Sequence, residues 1–273
     1  IAAMFAKIPI AHIHGGETTQ GAYDEAIRHS VTKMSWWHFV ATEEYKNRVI
    51  QLGESPKRVF NVGGLGVESI RNTELLSKKK LMANTGIKFS NRNLLVTYHP
   101  VTLEKKTSQK SFQSLLDVLA DLKSVYLIFT MPNADSDGRI IKKMINKFVE
   151  NHIENSISFI SMGSINYLST LQFVDGVIGN SSSGLLEAPS FKIGTINIGD
   201  RQGGRLQAKS VINCNPDKKS INLAIKKLYS INFQKILNKV ENPYGDGHTI
   251  EKIINVLKKE ALPKNIKKIF FDL

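Results

Sequence analysis

The sequence predicts an α/β protein made of two units, each a parallel β-sheet covered by helices. Short, nearly continuous apolar segments alternate with amphipathic helical segments along the chain, and this alternation is typical of parallel sheets. The apolar segments contain few polar residues, as expected for strands buried on both faces. The polar, lysine-rich stretch Asn72–Asn91 interrupts the series, so we expect the boundary between the units there.

Strands and helices are predicted in alternation. The strands, in chain order, are Ile8–Ile13, His38–Ala41, Val59–Val62, Leu94–Tyr98, Val125–Thr130, Gly176–Gly179 and Thr195–Ile198. The helices are Asp24–Met34, Glu43–Leu52, Gln109–Leu122, Asp137–Asn151, Leu185–Phe191, Lys218–Tyr229 and Thr249–Lys259. Thr42 is the N-cap expected for the second helix, because its hydroxyl can accept a bond from a free backbone N–H, and Gly53 is the expected stop.

Composition excludes several classes of protein. The chain has 273 residues, 41% of them hydrophobic, which supplies a real core and excludes a disordered chain. No apolar run approaches the ~20 residues of a transmembrane helix. The opening IAAMFAKIPIAHIH is no signal peptide and reads as part of a βα unit that began upstream. Cys214 is the single cysteine, so an internal disulfide and a multi-cysteine zinc site are excluded, and a cytoplasmic location is expected.

The charge of the chain is strongly positive. It carries 37 Lys+Arg against 24 Asp+Glu, a net charge of +13. Many lysines occur as doublets in or beside helical stretches, where they form solvated faces. Aromatic residues do not interleave with them, as a groove for single-stranded nucleic acid would require. We therefore expect no nucleic-acid partner, while a compact anionic ligand at particular arginines stays open.

Polar clusters follow four predicted strands, at the carboxyl ends where parallel sheets bind ligands. The first contains His14, Glu17 and Asp24, and acids and imidazoles this close together offer groups for general acid/base catalysis. The glycine pair at 15–16 allows a tight turn between them. In the plainer interpretation, Asp24 favours a helix start and the histidines bond locally. No metal site is expected at these histidines.

Two further clusters, and one asparagine, lie after other strands. His99 follows a strand, and Pro100 restricts it to an extended or turn conformation that holds the imidazole at the strand tip. Asn133 could bond a base or a phosphate, or could only serve a turn. Arg201 and Arg205 in GDRQGGR could neutralise a pyrophosphate with their guanidinium groups.

The remaining cluster is GNSSSGLLEAPSF, at a predicted strand-to-helix junction. Ser181 and Ser182, with the free N–H groups of a helix start, make a cradle for phosphate, and Glu187 could accept bonds from a ribose diol. A serine N-cap followed by an ordinary glutamate is the alternative. A serine hydrolase is disfavoured, because Gly179 and Gly184 are one residue too far apart for the G-x-S-x-G elbow.

Taken together, these segments resemble the hydrolysing UDP-N-acetylglucosamine 2-epimerases of sialic acid biosynthesis. The resemblance covers almost the whole chain in family order, through HIHGGETTQGAYDEAIRHSVTKMS, EYKNRVIQLGESPKRVFNVGGLG, YHPVTLE, PNADSDGR, GNSSSGLLEAPSFKIGTINIGDRQGGR and NPYGDG. It implies a GT-B architecture, in which two Rossmann-like domains with parallel sheets face a nucleotide-sugar cleft, and a first domain that is incomplete in this chain. Residues 1–75 would belong to that first domain, 76–241 would form the UDP-binding domain, and 242–273 would return toward the first.

The resemblance also implies a reaction. It is the conversion of UDP-N-acetylglucosamine to N-acetylmannosamine and UDP by elimination and rehydration, without a cofactor or metal ion, in a cytoplasmic homodimer or homotetramer. A rival substrate within the family is UDP-2,4-diacetamido-2,4,6-trideoxyglucose, of the legionaminic acid pathway. Epimerisation without hydrolysis, and a UDP-binding fragment without activity, stay open as well.

Site residues follow from the same resemblance. It implies a catalytic role for Asp24 and places His99 near the diphosphate and the leaving oxygen. The other implied UDP contacts are Asn133, the Met162 backbone, Ser181, Ser182, Glu187 and Arg201. Many relatives have HIEGGE, with an essential glutamate where this chain has His14. The sequence therefore leaves the acid/base role open between Glu17 and His14.

Overall fold

The computed structural model describes residues 1–18, 24–100, 107–132 and 138–273. The chain divides into two compact units. Unit 1 contains residues 1–72, 203–205 and 242–273, and unit 2 contains residues 73–202 and 206–241. Within the described ranges, no helix has the length and apolar character needed to cross a membrane.

Strands and helices alternate in the structure as the sequence predicts. The strands are β1 (Ala11–Ile13), β2 (Trp37–Val40), β3 (Val59–Asn61), β4 (Arg92–Thr97), β5 (Val125–Thr130), β6 (Ser156–Phe159), β7 (Gly176–Gly179), β8 (Gly194–Ile198) and β9 (Val211–Cys214). The helices are α1 (Ala2–Phe5), α2 (Asp24–Met34), α3 (Glu43–Gln51), α4 (Leu65–Asn72), α5 (Lys78–Thr85), α6 (Thr107–Ala120), α7 (Gly138–Asn151), α8 (Ser164–Leu171), α9 (Ser183–Leu186), α10 (Lys218–Leu228), α11 (Ile231–Leu237) and α12 (Thr249–Lys259).

Unit 1 is built on a parallel sheet in the order β1-β2-β3. The predicted N-cap of α3 is confirmed, since the Thr42 hydroxyl accepts a bond from the Tyr45 N–H at 3.2 Å. Gly53 follows the helix with a φ of +83°, a conformation that favours glycine. This helix packs against β2 and β3, and its buried residues Tyr45 and Val49 face that contact.

Unit 2 is built on a larger parallel sheet in the order β6-β5-β4-β7-β8-β9. Its core consists of apolar residues of these strands and of α6, α7, α10 and α11, among them Leu94, Phe112, Phe129, Ile178, Ile196 and Leu228. The strand order reverses between β4 and β7. Loops after these two strands therefore separate at the carboxyl edge, which is the usual place for a ligand in such sheets. The α/β class with parallel sheets is confirmed.

Some predicted elements are wrong or incomplete. The stretch Asn72–Asn91 is not a mere interruption, because it contains α5, in which Leu81 is fully buried among lysines. The first strand begins at Ala11 rather than Ile8, since Pro9 lacks an N–H for the sheet. Both β6 and β9 were missed. They are the edge strands of their sheet, and less complete burial allows their polar residues.

Candidate active site

The turn after β1 brings His14 and Glu17 together in unit 1. His14 has a φ of +64°, and Gly16 has a φ of +76°. A side chain at Gly16 would place its Cβ 2.3 Å from the Tyr45 carbonyl oxygen, so only glycine fits there. Arg48 Nη1 donates to the Gly16 carbonyl at 2.6 Å. The turn is thus fixed by the neighbouring helix α3.

His14 and Glu17 share a short hydrogen bond. His14 Nδ1 lies 2.6 Å from Glu17 Oε1, and Glu17 is only 6% exposed. The Leu65 N–H donates to His14 Nε2 at 3.3 Å, so Nε2 is an acceptor. This bonding pattern assigns the ring proton to Nδ1, from which it is donated to the Glu17 carboxylate. The two side chains thus form a hydrogen-bonded pair in which His14 donates and Glu17 accepts.

Arginines surround the Glu17 carboxylate. Arg205 Nη2 lies 3.6 Å from Glu17 Oε2, and Arg28 Nη1 donates to the Glu17 carbonyl at 2.9 Å. Burial raises the pKa of Glu17, but the bond and charge of His14 and the charges of Arg205 and Arg28 outweigh it, so the pKa lies below its usual value. Arg205, grouped with Arg201 by sequence for a pyrophosphate, lies instead against Glu17.

His12 takes the plainer role. Its Nδ1 lies 3.1 Å from the Thr32 hydroxyl of α2. Burial, with the electrostatic effects of the neighbouring His38, Arg28 and His14, lowers the pKa of His12 to about 4, so the ring is neutral at pH 7. Across the described parts of the chain, no group of three His, Cys, Asp or Glu side chains is placed to hold a metal ion.

Asp24 lies at the first residue of α2 and is exposed. Its carboxylate, together with Glu25, favours the helix start electrostatically. Residues 19–23, which connect Asp24 to the turn, lie outside the described residues. A catalytic role for Asp24 therefore stays a prediction.

The loops after β4, β7 and β8 meet at Asn180 in unit 2. Asn180 Oδ1 accepts from the His99 N–H at 2.7 Å, and Asn180 Nδ2 donates to the His99 carbonyl at 2.8 Å. Arg201 Nη1 and Gln202 Nε2 both donate to the Asn180 carbonyl, at 3.1 and 2.8 Å. The structure thus brings the predicted residues His99 and Arg201 to one residue, Asn180, whose role sequence reasoning missed.

The serine-rich turn is followed by a broken helix. Ser182 is the N-cap of α9, and Ser181 Oγ accepts from the Ser183 N–H at 3.4 Å. The predicted helix Leu185–Phe191 is wrong, because α9 ends at Leu186 and a 3₁₀ turn follows. Pro189 lies in that turn and has no N–H to continue an α-helix.

Glu187 lies at the junction between α9 and the 3₁₀ turn. Burial raises the pKa of its carboxyl, and a hydrogen bond with Ser183 offsets part of the rise. The Ser183 hydroxyl is in turn hydrogen-bonded to the Tyr167 hydroxyl. Tyr167 and Ser183 therefore orient Glu187, and sequence reasoning missed both. The helix SINYLSTL carries several other polar side chains, so the sequence gives no distinct signal for Tyr167.

The last two predicted UDP contacts are the Met162 backbone and Asn133. Met162 follows β6 and is buried, and its carbonyl accepts from Asn166 Nδ2 at 2.9 Å, so this carbonyl already has a partner. Asn133 lies outside the described residues. A contact of either residue with a nucleotide stays a prediction.

Known proteins resemble this chain over most of its length. The family described as UDP-N-acetylglucosamine 2-epimerase matches residues 1–258. A Campylobacter jejuni protein named GDP/UDP-N,N'-diacetylbacillosamine 2-epimerase (hydrolyzing) is 43% identical over 267 residues, which are 97% of this chain and 69% of that protein. The Escherichia coli polysialic acid biosynthesis protein P7 is 40% identical over 275 residues, 100% of this chain and 70% of that protein. A Legionella pneumophila UDP-N,N'-diacetylbacillosamine 2-epimerase (hydrolyzing) is 33% identical over 266 residues, 97% of this chain and 68% of that protein.

Solved structures share the fold. The UDP-GlcNAc 2-epimerase of Neisseria meningitidis bound to UDP-GlcNAc superimposes with a TM-score of 0.80 at 18% identity, covering 95% of this chain and 72% of that one. An S. aureus protein solved with UDP gives a TM-score of 0.75 at 18% identity, covering 94% and 70%. The GT-B fold class is confirmed. The family match and the identities of 33–43% show that this chain belongs to the UDP-N-acetylglucosamine 2-epimerase family.

Proposed function

We propose that the protein is a hydrolysing 2-epimerase of a UDP-activated 2-acetamido sugar. The observation that carries this proposal is the contact of 2.6 Å between His14 Nδ1 and Glu17 Oε1, in a turn at the carboxyl end of β1. An epimerase must remove a proton from carbon and return it, and a histidine–carboxylate pair exchanges protons near neutral pH. The word hydrolyzing in the names of the C. jejuni and L. pneumophila relatives supports the same chemistry.

The proposed reaction has two steps. A base removes the proton from C2 of the sugar while the C1–O bond to UDP breaks, which leaves a 2-acetamidoglycal and UDP. Water then adds at C1 as a proton returns to C2 from the opposite face. The products are UDP and the free sugar with C2 inverted, and the overall reaction consumes one water molecule. No electrons are transferred, so this scheme calls for no redox cofactor.

Within unit 1, the side chains of His14 and Glu17 differ in exposure, which supports a different role for each. The His14 side chain is 33% exposed, while that of Glu17 is 8% exposed and has both oxygens engaged, by His14 and by Arg205. A carboxylate with a lowered pKa is a weak base, but it holds the neighbouring imidazole in one tautomer and stabilises its charged form. We propose that His14 removes the proton from C2 and that Glu17 keeps the imidazole oriented, while solvent supplies the proton that C2 gains on the opposite face.

Within unit 2, the proposed role is UDP binding. His99, Arg201 and the hydroxyls of Ser181 and Ser182 would stabilise the charge that develops on the leaving diphosphate. Glu187 would accept hydrogen bonds from the ribose hydroxyls, which its orientation by Ser183 supports. UDP in the S. aureus structure and UDP-GlcNAc in the N. meningitidis structure are ligands of the expected class.

Two substrates are candidates. UDP-N-acetylglucosamine is the substrate that the resemblance implies. The name of the L. pneumophila relative favours UDP-N,N'-diacetylbacillosamine, which is UDP-2,4-diacetamido-2,4,6-trideoxyglucose, and the C. jejuni name gives the GDP or UDP form of the same sugar. The two differ at C4 and C6 of the sugar and share the 2-acetamido group, so the same proton chemistry serves both.

Product analysis tests the proposal. The protein is incubated with each UDP-sugar, without an acceptor, and UDP and free sugar are measured by anion-exchange chromatography. We expect equal amounts of UDP and of the free C2 epimer, and the higher kcat/KM identifies the substrate. An epimerised UDP-sugar without free UDP would show non-hydrolysing chemistry. Binding of UDP without turnover of either sugar would show a binding fragment.

A further inference from the structure

We propose that Asn180 is a positioning residue that holds His99 and Arg201 in place for the diphosphate of the nucleotide. The choice of ligand in this inference rests on the proposed function. Its geometry rests on hydrogen bonds within unit 2. Asn180 is 1% exposed, so it acts on the His99 backbone and the Arg201 guanidinium rather than on the ligand.

Asn180 is fixed first by its own backbone. Its N–H donates to the Thr97 carbonyl at 3.1 Å, which continues the pairing of β4 with β7 by one residue. The preceding Gly179 has a φ of +140°, and a Cβ there would lie 1.9 Å from the Thr97 carbonyl oxygen. Because β4 and β7 approach closely at this point, residue 179 must be glycine. The same approach fixes the position of the Asn180 Cα, from which the side chain extends.

The Asn180 side chain then fixes the backbone of His99. The amide oxygen accepts from the His99 N–H at 2.7 Å, and the amide nitrogen donates to the His99 carbonyl at 2.8 Å. Both polar backbone groups of one residue are thus bonded by a single side chain. The following Pro100 restricts His99 further. The backbone that carries the His99 imidazole therefore has little conformational freedom.

The Asn180 carbonyl fixes the loop after β8. Arg201 Nη1 donates to it at 3.1 Å, and Gln202 Nε2 donates at 2.8 Å. Gln202 is 1% exposed, which makes this second bond part of the interior. Ser181 follows Asn180 directly in the chain. One residue thus connects three of the segments predicted to contact UDP.

Asparagine is the side chain that this position requires. An amide offers one acceptor and two donors on a planar group, as the two bonds to His99 demand. Aspartate has nearly the same shape but would place a carboxylate oxygen against the His99 carbonyl oxygen. The loss of one hydrogen bond and the new repulsion should free His99, and a less ordered site binds its ligand more weakly.

The experiment compares Asn180→Asp with a matched control, Asn197→Asp. Asn197 is also a buried asparagine of unit 2, 3% exposed, and its Nδ2 donates to Asn213 Oδ1 at 2.8 Å. Both variants introduce a carboxylate into the interior, so both should lower the melting temperature. UDP affinity is measured by calorimetry, and exchange of the His99 amide hydrogen is measured by NMR without ligand.

We expect N180D to weaken UDP binding by about 10- to 100-fold, as the loss of one hydrogen bond and the added repulsion imply. N197D should change the affinity less than about twofold. The His99 amide hydrogen should exchange faster in N180D than in the wild type. In N197D it should exchange at the wild-type rate. In the background of His99→Ala, N180D should cost less affinity than in the wild type, because part of its effect passes through the imidazole.

Two results would overturn the inference: an unchanged exchange rate of the His99 amide in N180D, or equal UDP affinities for N180D and N197D. Failure of the proposed function looks different. In that case the wild type does not bind UDP, while N180D still accelerates exchange at His99 because the positioning role is intact.

Discussion

Arg205 Nη2 lies 3.6 Å from Glu17 Oε2, although the two residues are far apart in the sequence. Thr18 Oγ1 also donates to the Gly204 carbonyl at 2.6 Å, so the segment that carries Arg205 is fastened beside the Glu17 turn. The guanidinium is one of the charges that keep the pKa of Glu17 low. This arrangement keeps the carboxylate ionised and able to accept the hydrogen bond from His14 Nδ1.

Replacement of Arg205 should shift the pH profile of the reaction. Arg205→Met removes a positive charge, so the pKa of Glu17 rises. Glu17 is then protonated at a higher pH, and the acid limb of kcat/KM moves upward in pH. Arg205→Lys keeps the charge and should keep the limb near its wild-type position. Profiles of R205M and wild type with the same acid limb would contradict this role.

Glu17 itself should be essential for turnover. Glu17→Gln keeps the size of the side chain but cannot stabilise a charged His14, and we expect kcat to fall by about 10²- to 10⁴-fold. UDP affinity should stay unchanged. Glu43→Gln, at an exposed carboxylate of α3, is the control and should retain wild-type kcat. An E17Q enzyme with nearly full kcat would show that the pair does not carry the proton.

The turn after β1 should tolerate no side chain at Gly16. Gly16→Ala and Gly86→Ala both place alanine at positive φ, +76° and +73°, at a cost of about 1–2 kcal/mol each. A Cβ at Gly86 meets nothing within 4 Å, whereas one at Gly16 lies 2.3 Å from a backbone oxygen. We expect G16A to lose about 1–3 kcal/mol more free energy of unfolding than G86A. Denaturant titration measures the difference, and equal losses would refute the steric explanation.

A buried carboxylate should dominate the acid stability of unit 1. Glu54 is fully buried, and the Nζ atoms of Lys268 and Lys33 lie 2.7 and 2.8 Å from it, with His38 Nε2 at 3.1 Å. Burial raises the pKa of Glu54, but the bonds from His38, Lys268 and Lys33 lower it from 4.5 to about 2. A folded-state pKa below the usual value means that this ion cluster stabilises the fold above pH 4.5. The contribution is lost as the pH falls from 4.5 through 2.

The matched pair of variants for this cluster is Glu54→Gln and Glu44→Gln. E54Q leaves the partly buried Lys268 ammonium without its carboxylate, so the free energy of unfolding at pH 7 should fall by about 3–5 kcal/mol. Glu44 forms an exposed ion pair with Arg48, and E44Q should cost less than about 1 kcal/mol. The difference between E54Q and wild type should shrink as the pH approaches 2. A difference that stays constant with pH would rule out the linkage.

Much of the fold could be predicted because its signals are local. The bounds of β5, β7, α2 and α12 agree with the prediction, since each is a continuous apolar or amphipathic run with clear ends. The cap at Thr42 depends only on residues three positions apart. The edge strands β6 and β9 carry weaker patterns, because one side of an edge strand is less completely covered.

The connections within the site could not be predicted in the same way. Asn180 bonds His99 because β4 and β7 are neighbours, and the sequence alone does not state the strand order. Arg205 was grouped with Arg201 by its loop, yet its charge acts on Glu17. The residue types in GNSSSG and HIHGGE indicate phosphate binding and acid/base catalysis. The hydrogen-bond partner of each side chain, however, depends on contacts between residues that are distant in sequence.

The central claim is that the proton on C2 of the sugar is removed during hydrolysis and replaced, on the opposite face, by a proton from solvent. The most direct measurement is the reaction in deuterated water, followed by NMR and mass spectrometry of the released sugar. The account predicts one deuterium at C2, an inverted C2 centre and one UDP for each sugar. A released sugar that keeps its original hydrogen at C2 would contradict it.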